Sequence, residues 1–351
     1  KYIRYNRQNS SRSIKIMTQY YNPKFYLRNG ESDGAASYNF VSNQLEYNLK
    51  DFIDYGLLAA GGYINVKKNV NNIHGNAPDR LYPVKDPNYK DGQVWQTMRK
   101  NWVYETGVGG TYSFSGGVAA QGAPVTISGI TINNTGFIPN NAVGTYAHSQ
   151  DYFNGRIIFD TKIPMTTNLR LSYTYKWVQV YTYSEAEWWQ EIQYATDENG
   201  KHQRSKDKGD FFVDPKNRVQ LPAVVLEVVP RSSSTPYRLG DQSMILDQDI
   251  LIHVVADNYY DRNNICDIIR LQEDRIIKLY DINIVARSGV STYSMDGTLN
   301  VGRLQYNTLV NNDTYYYNHC RLKNMVVSSV ESPNPDLYES TIRTTAEIII
   351  T

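Results

Sequence analysis

The stretches AVVLEVV at residues 223–229 and ILIHVVA at residues 250–256 decide the fold. Each is a seven-residue run of mostly β-branched apolar side chains, too short for a buried helix and bounded by turn-forming residues, which predicts two central strands. Pro230 to Gly240 between them reads as a Ser/Pro loop. Past the second strand the period changes. From Tyr259 to about Asp274, Ile265, Ile268, Ile269 and Leu271 fall on one side and Asp261, Asn264, Asp267 and Arg270 on the other, the spacing of an amphipathic helix. Ile276 to Ala286 returns to a strand pattern, and Cys320 to Glu331 and Leu337 to Thr351 are β-branched runs separated by Ser-Pro-Asn-Pro-Asp, two strands across a proline-stiffened turn. Residues 221–351 therefore read as an α+β domain, a mostly antiparallel sheet with at least one helix laid on a face.

Working outward, residues 201–220 form a polar connection with Lys201, Arg204, Lys206 and Lys208. Residues 148–200 read as a β unit. Asn154-Gly155 is a tight-turn pair, and Leu169, Leu171, Tyr173, Tyr175 and Trp177 alternate with Arg170, Ser172, Thr174 and Lys176, which predicts one packed face and one wet face. Ser184 to Glu187 fits a capping box that starts a short helix carrying Trp188, Trp189 and Ile192. Residues 70–147, with Pro78, Pro83 and Pro87 and a short strand pattern at Val125 to Ile132, read as a loop-rich β excursion of the kind that touches a neighbour.

Residues 37–69 hold a second amphipathic helix from Ser37 to about Ala60, marked by Val41, Leu45, Leu49, Phe52, Ile53 and Leu57 and ended by Gly61-Gly62. Residues 1–36 are a basic arm. The first thirty hold seven basic residues and no acid, and Arg4, Arg7, Arg12 and Lys15 are its expected docking residues. Three readings stand for it: an arm that orders on a partner protein, a plain flexible terminus, or incidental contact with DNA or RNA through phosphates, although no nucleic-acid-binding motif accompanies the charges. The whole chain is thus expected to be α+β and β-rich, with mostly antiparallel sheets and a few packed helices.

The chain has 351 residues, 36 Lys+Arg against 35 Asp+Glu, and 41% hydrophobic residues. That balance excludes a disordered tail, and two cysteines in such a length exclude a disulfide-stapled module. No apolar run approaches the roughly 20 residues of a membrane-spanning helix, so no membrane association is expected and the chain is expected to be soluble or held by other proteins. Cys266 and Cys320 lack CxxC spacing and read as small buried hydrophobes or ordinary thiols.

Catalytic constellations are scarce. If the 223–229 and 250–256 strands pair antiparallel, Glu227 faces His253, which gives either an acid/base pair or a core histidine satisfied by a hydrogen bond. His74, His148, His202 and His319 lack metal-ligand spacing, Gly107 to Gly110 opens no helix, and no Gly-x-Ser-x-Gly elbow occurs. No catalytic residue, cofactor or metal is therefore expected, and the chain reads as a non-enzymatic structural or adhesive protein. Thirty tyrosines and 33 asparagines suit broad contact surfaces, with Tyr20-Tyr21, Tyr259-Tyr260 and Tyr315 to Tyr317 as contact patches, or reflect sheet packing and compositional bias. The alternative function is an aromatic-rich β module that binds glycans. An outer-membrane barrel would require many more alternating segments.

In element order and wording, LPAVVLEVVPRSSSTPYRLGDQ, DILIHVVADN, YDRNNICDIIRLQED, IIKLYDINIV and the closing STIRTTAEIIIT resemble the neck and tail-completion proteins of tailed bacteriophages, including the tail terminators. The phrases GTYAHSQDYFNGRIIFDTKI and LRLSYTYKWVQVY are also similar to structural proteins of large tailed phages. The resemblance covers about 221–351 in element order and 145–194 in phrasing. It implies a virion component, assembled in the host cytoplasm, that forms a ring of six or twelve copies joining portal to tail tube, as a tail terminator, neck adaptor or other connector. The N-terminal helix, the arm and the 70–147 excursion exceed a minimal tail-terminator domain, and the resemblance brings no functional residue set with it. On physical grounds, Asp261, Arg262, Asp267 and Arg270 on the polar face of the 259–274 helix are the expected subunit contacts.

Overall fold

The computed structural model describes residues 41–69, 71, 77–108, 123–186, 220–238, 243–293, 298–330 and 337–350. Helix α1 (Val41–Ala59) leads into a short strand β1 (Tyr63–Val66). The helix ends on a Schellman-type turn in which Gly62 N–H reaches Leu57 O at 2.9 Å and Gly61 takes φ +94°, the left-handed geometry that makes glycine the natural residue there. Strands β2 (Arg80–Pro83), β3 (Val94–Thr97), β4 (Gly129–Ile132), β5 (Gly136–Pro139), β6 (His148–Asp151), β7 (Arg156–Phe159) and β8 (Leu169–Leu171) form one antiparallel sheet in the order β5-β4-β8-β2-β3-β7-β6. Strands from 70–147 and from 148–200 interleave in it, so the expected boundary at 147/148 does not separate two units. The predicted Asn154-Gly155 turn is present. Gly155 has φ +66°, and a Cβ there would lie 2.6 Å from Arg99 O.

Strand β9 (Tyr173–Lys176) pairs with β1, and β10 (Gln179–Thr182) then crosses to a second sheet, where it lies parallel to β11 (Ala223–Pro236). That sheet continues antiparallel through β12 (Met244–Ala256), β15 (Tyr338–Ile350), β14 (Tyr316–Val330) and β13 (Ile276–Tyr280). Helix α2 (Tyr259–Arg270) follows β12, and helices α3 (Ile282–Arg287) and α4 (Tyr306–Leu309) precede β14. The fold is α+β and β-rich, with mostly antiparallel strands and few helices.

The two fold-deciding runs are central strands, as expected. One face of the six-stranded sheet carries Val224, Leu226, Ile250, Ile252, Val254, Ile342, Ala346 and Ile348, packed against Leu45, Leu49 and Ile53 of α1 and Ile265 and Ile269 of α2. Along β15 every even-numbered residue from Ser340 to Ile348 is buried, the period-two signature of a sheet with one covered face. Two β-bulges interrupt the long ladders, between Val228 and Ser232 and between Lys323 and Val326. Each is filled by a buried polar side chain: Gln248 Nε2 donates to Val229 O and to Arg231 O (3.2 Å), and Thr344 Oγ1 donates to Lys323 O (3.0 Å). The freed backbone acceptors are thereby satisfied without water.

Several expectations are corrected. Pro230 to Pro236 is not loop but the outer half of β11. Ile276 to Ala286 is not one strand, because Asp281 accepts from Asn283 N (3.0 Å) and Ile284 N (3.4 Å) and caps α3. The capping box lies two residues earlier than Ser184/Glu187. Thr182 and Glu185 form it around a 3₁₀ turn at Tyr183–Glu185, and Trp188, Trp189 and Ile192 lie outside the described residues. Leu271, assigned to the apolar side of its helix, is 80% exposed because α2 ends at Arg270. The expected start of α1 at Ser37 also lies outside the described residues.

Candidate functional site

The largest correction concerns the alternating run 169–177, whose polar side is not wet: Arg170, Thr174 and Lys176 are all buried. Arg170 NH1 reaches Asp79 Oδ2 at 2.8 Å and Asn69 O at 2.9 Å, and Tyr173 Oη donates to Pro78 O (2.9 Å). Lys176 Nζ, at the end of β9, sits between Asp54 Oδ2 of α1 (2.5 Å) and Glu105 Oε1 (2.7 Å). Burial alone would push the Lys176 ammonium down. Asp54 and Glu105 outweigh it and hold the group well above the ordinary lysine range.

The two carboxylates of this ion cluster line one wall of a cavity of about 390 Å³ between α1, the Tyr104-Glu105 segment, α3, α4 and residues 290–292 and 304–305. Asp51, Asp54 and Tyr55 enter from successive turns of α1, spaced so that one helix face presents two carboxylates and two aromatic rings, Tyr47 and Tyr55. Tyr280 Oη donates to Asp51 Oδ2 at 2.6 Å, a short bond of the charge-assisted kind. Burial pushes the Asp51 carboxyl up, opposed by Lys50 and by that hydrogen bond. Three rings pack around Tyr306: Phe52 at 6.1 Å and Tyr280 at 6.3 Å between centroids meet it edge-on, and Tyr55 at 6.3 Å is tilted against it. The Tyr104 ring carries two cations, Lys176 Nζ at 5.3 Å and Arg303 Cζ at 5.7 Å, and its hydroxyl meets Thr292 Oγ1 at 3.2 Å. No histidine or cysteine lines the cavity, and among the described residues no cluster of His, Cys, Asp and Glu is arranged to hold a metal ion.

The predicted residues fall elsewhere. Glu227 and His253 do meet, on the sheet face opposite the core: their register is diagonal, Glu227 opposite Leu251, and His253 Nε2 lies 3.3 Å from Glu227 Oε2 while Nδ1 lies 3.2 Å from Thr341 Oγ1. Burial pushes the imidazole pKa down, with Glu227 pulling back. The pair lies outside the cavity, and its second imidazole partner is a threonine, so it is placed as a sheet contact. Of the four residues expected on the polar face of α2, Asp267 and Arg270 are exposed, while Asp261 N–H donates to the N-cap Asn258 at 2.8 Å. Arg262 is buried instead: it stacks on the Tyr259 ring at 4.6 Å and donates to Glu339 O (3.3 Å), because at this point α2 lies against the end of β15.

Tyr259 and Tyr260 are exposed, whereas Tyr315 and Tyr317 pack against apolar clusters, so that patch is only partly surface. Tyr20, Tyr21 and the arm residues Arg4, Arg7, Arg12 and Lys15 lie outside the described residues. Cys266 and Cys320 are buried free thiols, and burial raises Cys320 to about 12. The cavity itself was not legible in advance. The one available signal was the i, i+3 pair Asp51 and Asp54 on a helix that elsewhere buries that side of its surface.

No family model matches this sequence, and no curated protein is significantly similar to it. Among the described residues no helix is long and apolar enough to cross a membrane.

Proposed function

We propose that this chain is a structural, non-catalytic protein of a tailed-phage virion that assembles into a homo-oligomeric ring of six or twelve copies in the neck, between portal and tail. The observation that carries self-association is a pair of open half-edges at diagonal corners of the six-stranded sheet. Strand β10 covers only Ala223–Leu226 of β11, and β13 covers only Tyr316–Arg321 of β14. Beyond β13, Glu273 and Asp274 occupy the edge as far as Met325. Among the described residues no strand pairs with the outer edges of 227–236 or 326–330.

Strands β11 and β14 run in opposite directions, so a copy moved sideways brings β14 against the next β11 as an antiparallel pair. The β11 window is level with Asp247 of β12 and the β14 window with His253, an offset of six residues and about 20 Å along the strand. Repeating that stagger in a flat sheet gives an open filament. Closing it into a ring requires the strands to tilt, as shear and tilt are linked in any closed barrel. Pro230 and Pro236 both lie in the β11 window and blunt it against indiscriminate pairing, leaving Ser232 to Thr235 between them as a short, specific edge.

The test is the mass of the full chain at rising concentration, alone and with a tail partner, by mass photometry. Closed particles of six or twelve copies are expected. A protein that stays monomeric in the intact virion, contacting no copy of itself, overturns the reading, and sugar binding by such a monomer on a glycan array would replace it with a glycan-binding role.

A further inference from the structure

The cavity beside α1 has features that sheet assembly does not use. Its walls hold three carboxylates, Asp51, Asp54 and Glu105, and Lys176 is hydrogen-bonded to two of them. Asp51 is left with one phenolic donor. Its second oxygen, Oδ1, takes no hydrogen bond from any described residue; the side chain is half-buried, and burial pushes the carboxyl pKa up. A half-buried carboxylate that faces a cavity is stabilised further by a cation that enters it. The aromatic lining has the same preference. Ring faces attract organic cations, and Tyr104 already binds the Lys176 ammonium and the Arg303 guanidinium in this way. The charged side chains that line the cavity are all carboxylates, Asp51, Asp54 and Glu105, and Lys176 is bonded to the last two. A volume of about 390 Å³ lies within the range of about 300–1,000 Å³ typical of small-molecule sites. Tyr47 stands partly exposed among the lining residues, so the cavity meets solvent.

We propose that this cavity is a binding site for an organic cation, a guanidinium or alkylammonium group that pairs with Asp51 and lies against the Tyr47, Tyr55 and Tyr280 rings. Two sources share that chemistry: a free small molecule, or an arginine or lysine side chain of a basic segment such as residues 1–30 of this chain. The site does not depend on ring formation and would be present in the monomer.

The test uses agmatine as probe, titrated calorimetrically into the full chain and into a variant with Arg4, Arg7, Arg12 and Lys15 changed to Gln. Saturable one-site binding to at least one of the two is expected. Tighter binding to the arm variant assigns the natural occupant to the arm, and equal binding assigns it to a free cation. Asp51→Asn, which keeps the Tyr280 acceptor, should weaken agmatine binding at least tenfold with little change in the far-ultraviolet circular dichroism. Tyr47→Ala, at a partly exposed position, should weaken it severalfold and guards against misfolding of the first variant. Absence of agmatine binding to both forms at millimolar concentration overturns the proposal, as does binding that Asp51→Asn leaves unchanged. Binding of a neutral hexose in place of agmatine would also overturn it.

Discussion

The four long strands of the six-stranded sheet have 13 to 15 residues each, whereas the strands of the seven-stranded sheet have three or four. The long strands gain a continuous ladder and one apolar face, and their other face carries half-exposed pairs such as Lys323 with Asp247 and Glu347. The short strands cannot be held by ladders of that length. They close around Trp95, Trp102, Phe159 and Tyr173, and they lock their polar residues into buried ion pairs, Arg170 with Asp79 and, at the adjoining β1-β9 pair, Lys176 with Asp54 and Glu105. One region is built by periodicity and the other by specific partners. Substitutions should therefore act through different physics in the two.

The largest effect is expected at Lys176. Lys176→Met leaves Asp54 and Glu105 without their cation, and removing one partner of a buried pair typically costs about 3–5 kcal/mol. Equilibrium denaturation in urea would measure it, and a loss under about 1 kcal/mol would mean that the cluster is well hydrated and the contrast between the regions is false. In the long sheet, Ile252→Ala removes a fully covered side chain and should cost about 2–4 kcal/mol through lost burial and a cavity, with the same slope of stability against urea.

A smaller effect is expected at His253. Its folded pKa is depressed, so its contribution is present above the ordinary value of 6.5 and is lost as pH falls through the lower folded value. Replacing His253 with Gln should cost about 1–3 kcal/mol near neutral pH by losing hydrogen bonds, and should flatten the decline in stability below about pH 6.5. Denaturation at pH 5 and pH 7.5 would show it, and an unchanged pH slope would contradict a buried, neutral imidazole. The smallest effects on folding are expected at the surface. Charge reversal at both Asp267 and Arg270, or deletion of residues 1–30, should move the melting temperature by no more than a few degrees while weakening assembly into the particle.

These two regions also differ in what the sequence disclosed. AVVLEVV, ILIHVVA and the two closing runs announced their strands because burial on one or both faces repeats over seven residues or more, and the helix over residues 259–270 was marked by its own period. The Ser/Pro half of β11 was hidden because polar residues between two prolines look like a loop, and only pairing with β12 makes them a strand. The run 169–177 shows the deeper reason. Its alternation was read as one strand, whereas it forms two, β8 and β9, in different sheets, and Arg170 and Lys176 were assigned to water because the carboxylates that bury them lie 91, 122 and 71 residues away. A period reports which residues share a face. It does not report what arrives to cover it, and the cavity beside α1 is made almost entirely of such arrivals.

The central claim is that the open half-edges of the six-stranded sheet join copies of the chain. Amide hydrogen exchange, read by mass spectrometry on the assembled and the dissociated protein, addresses it directly. The account predicts that segments 231–235 and 326–330 exchange quickly in the dissociated chain and gain protection together on assembly, while the central strand β12 is protected in both states. Assembled particles in which those two segments exchange as fast as in the free chain would contradict it.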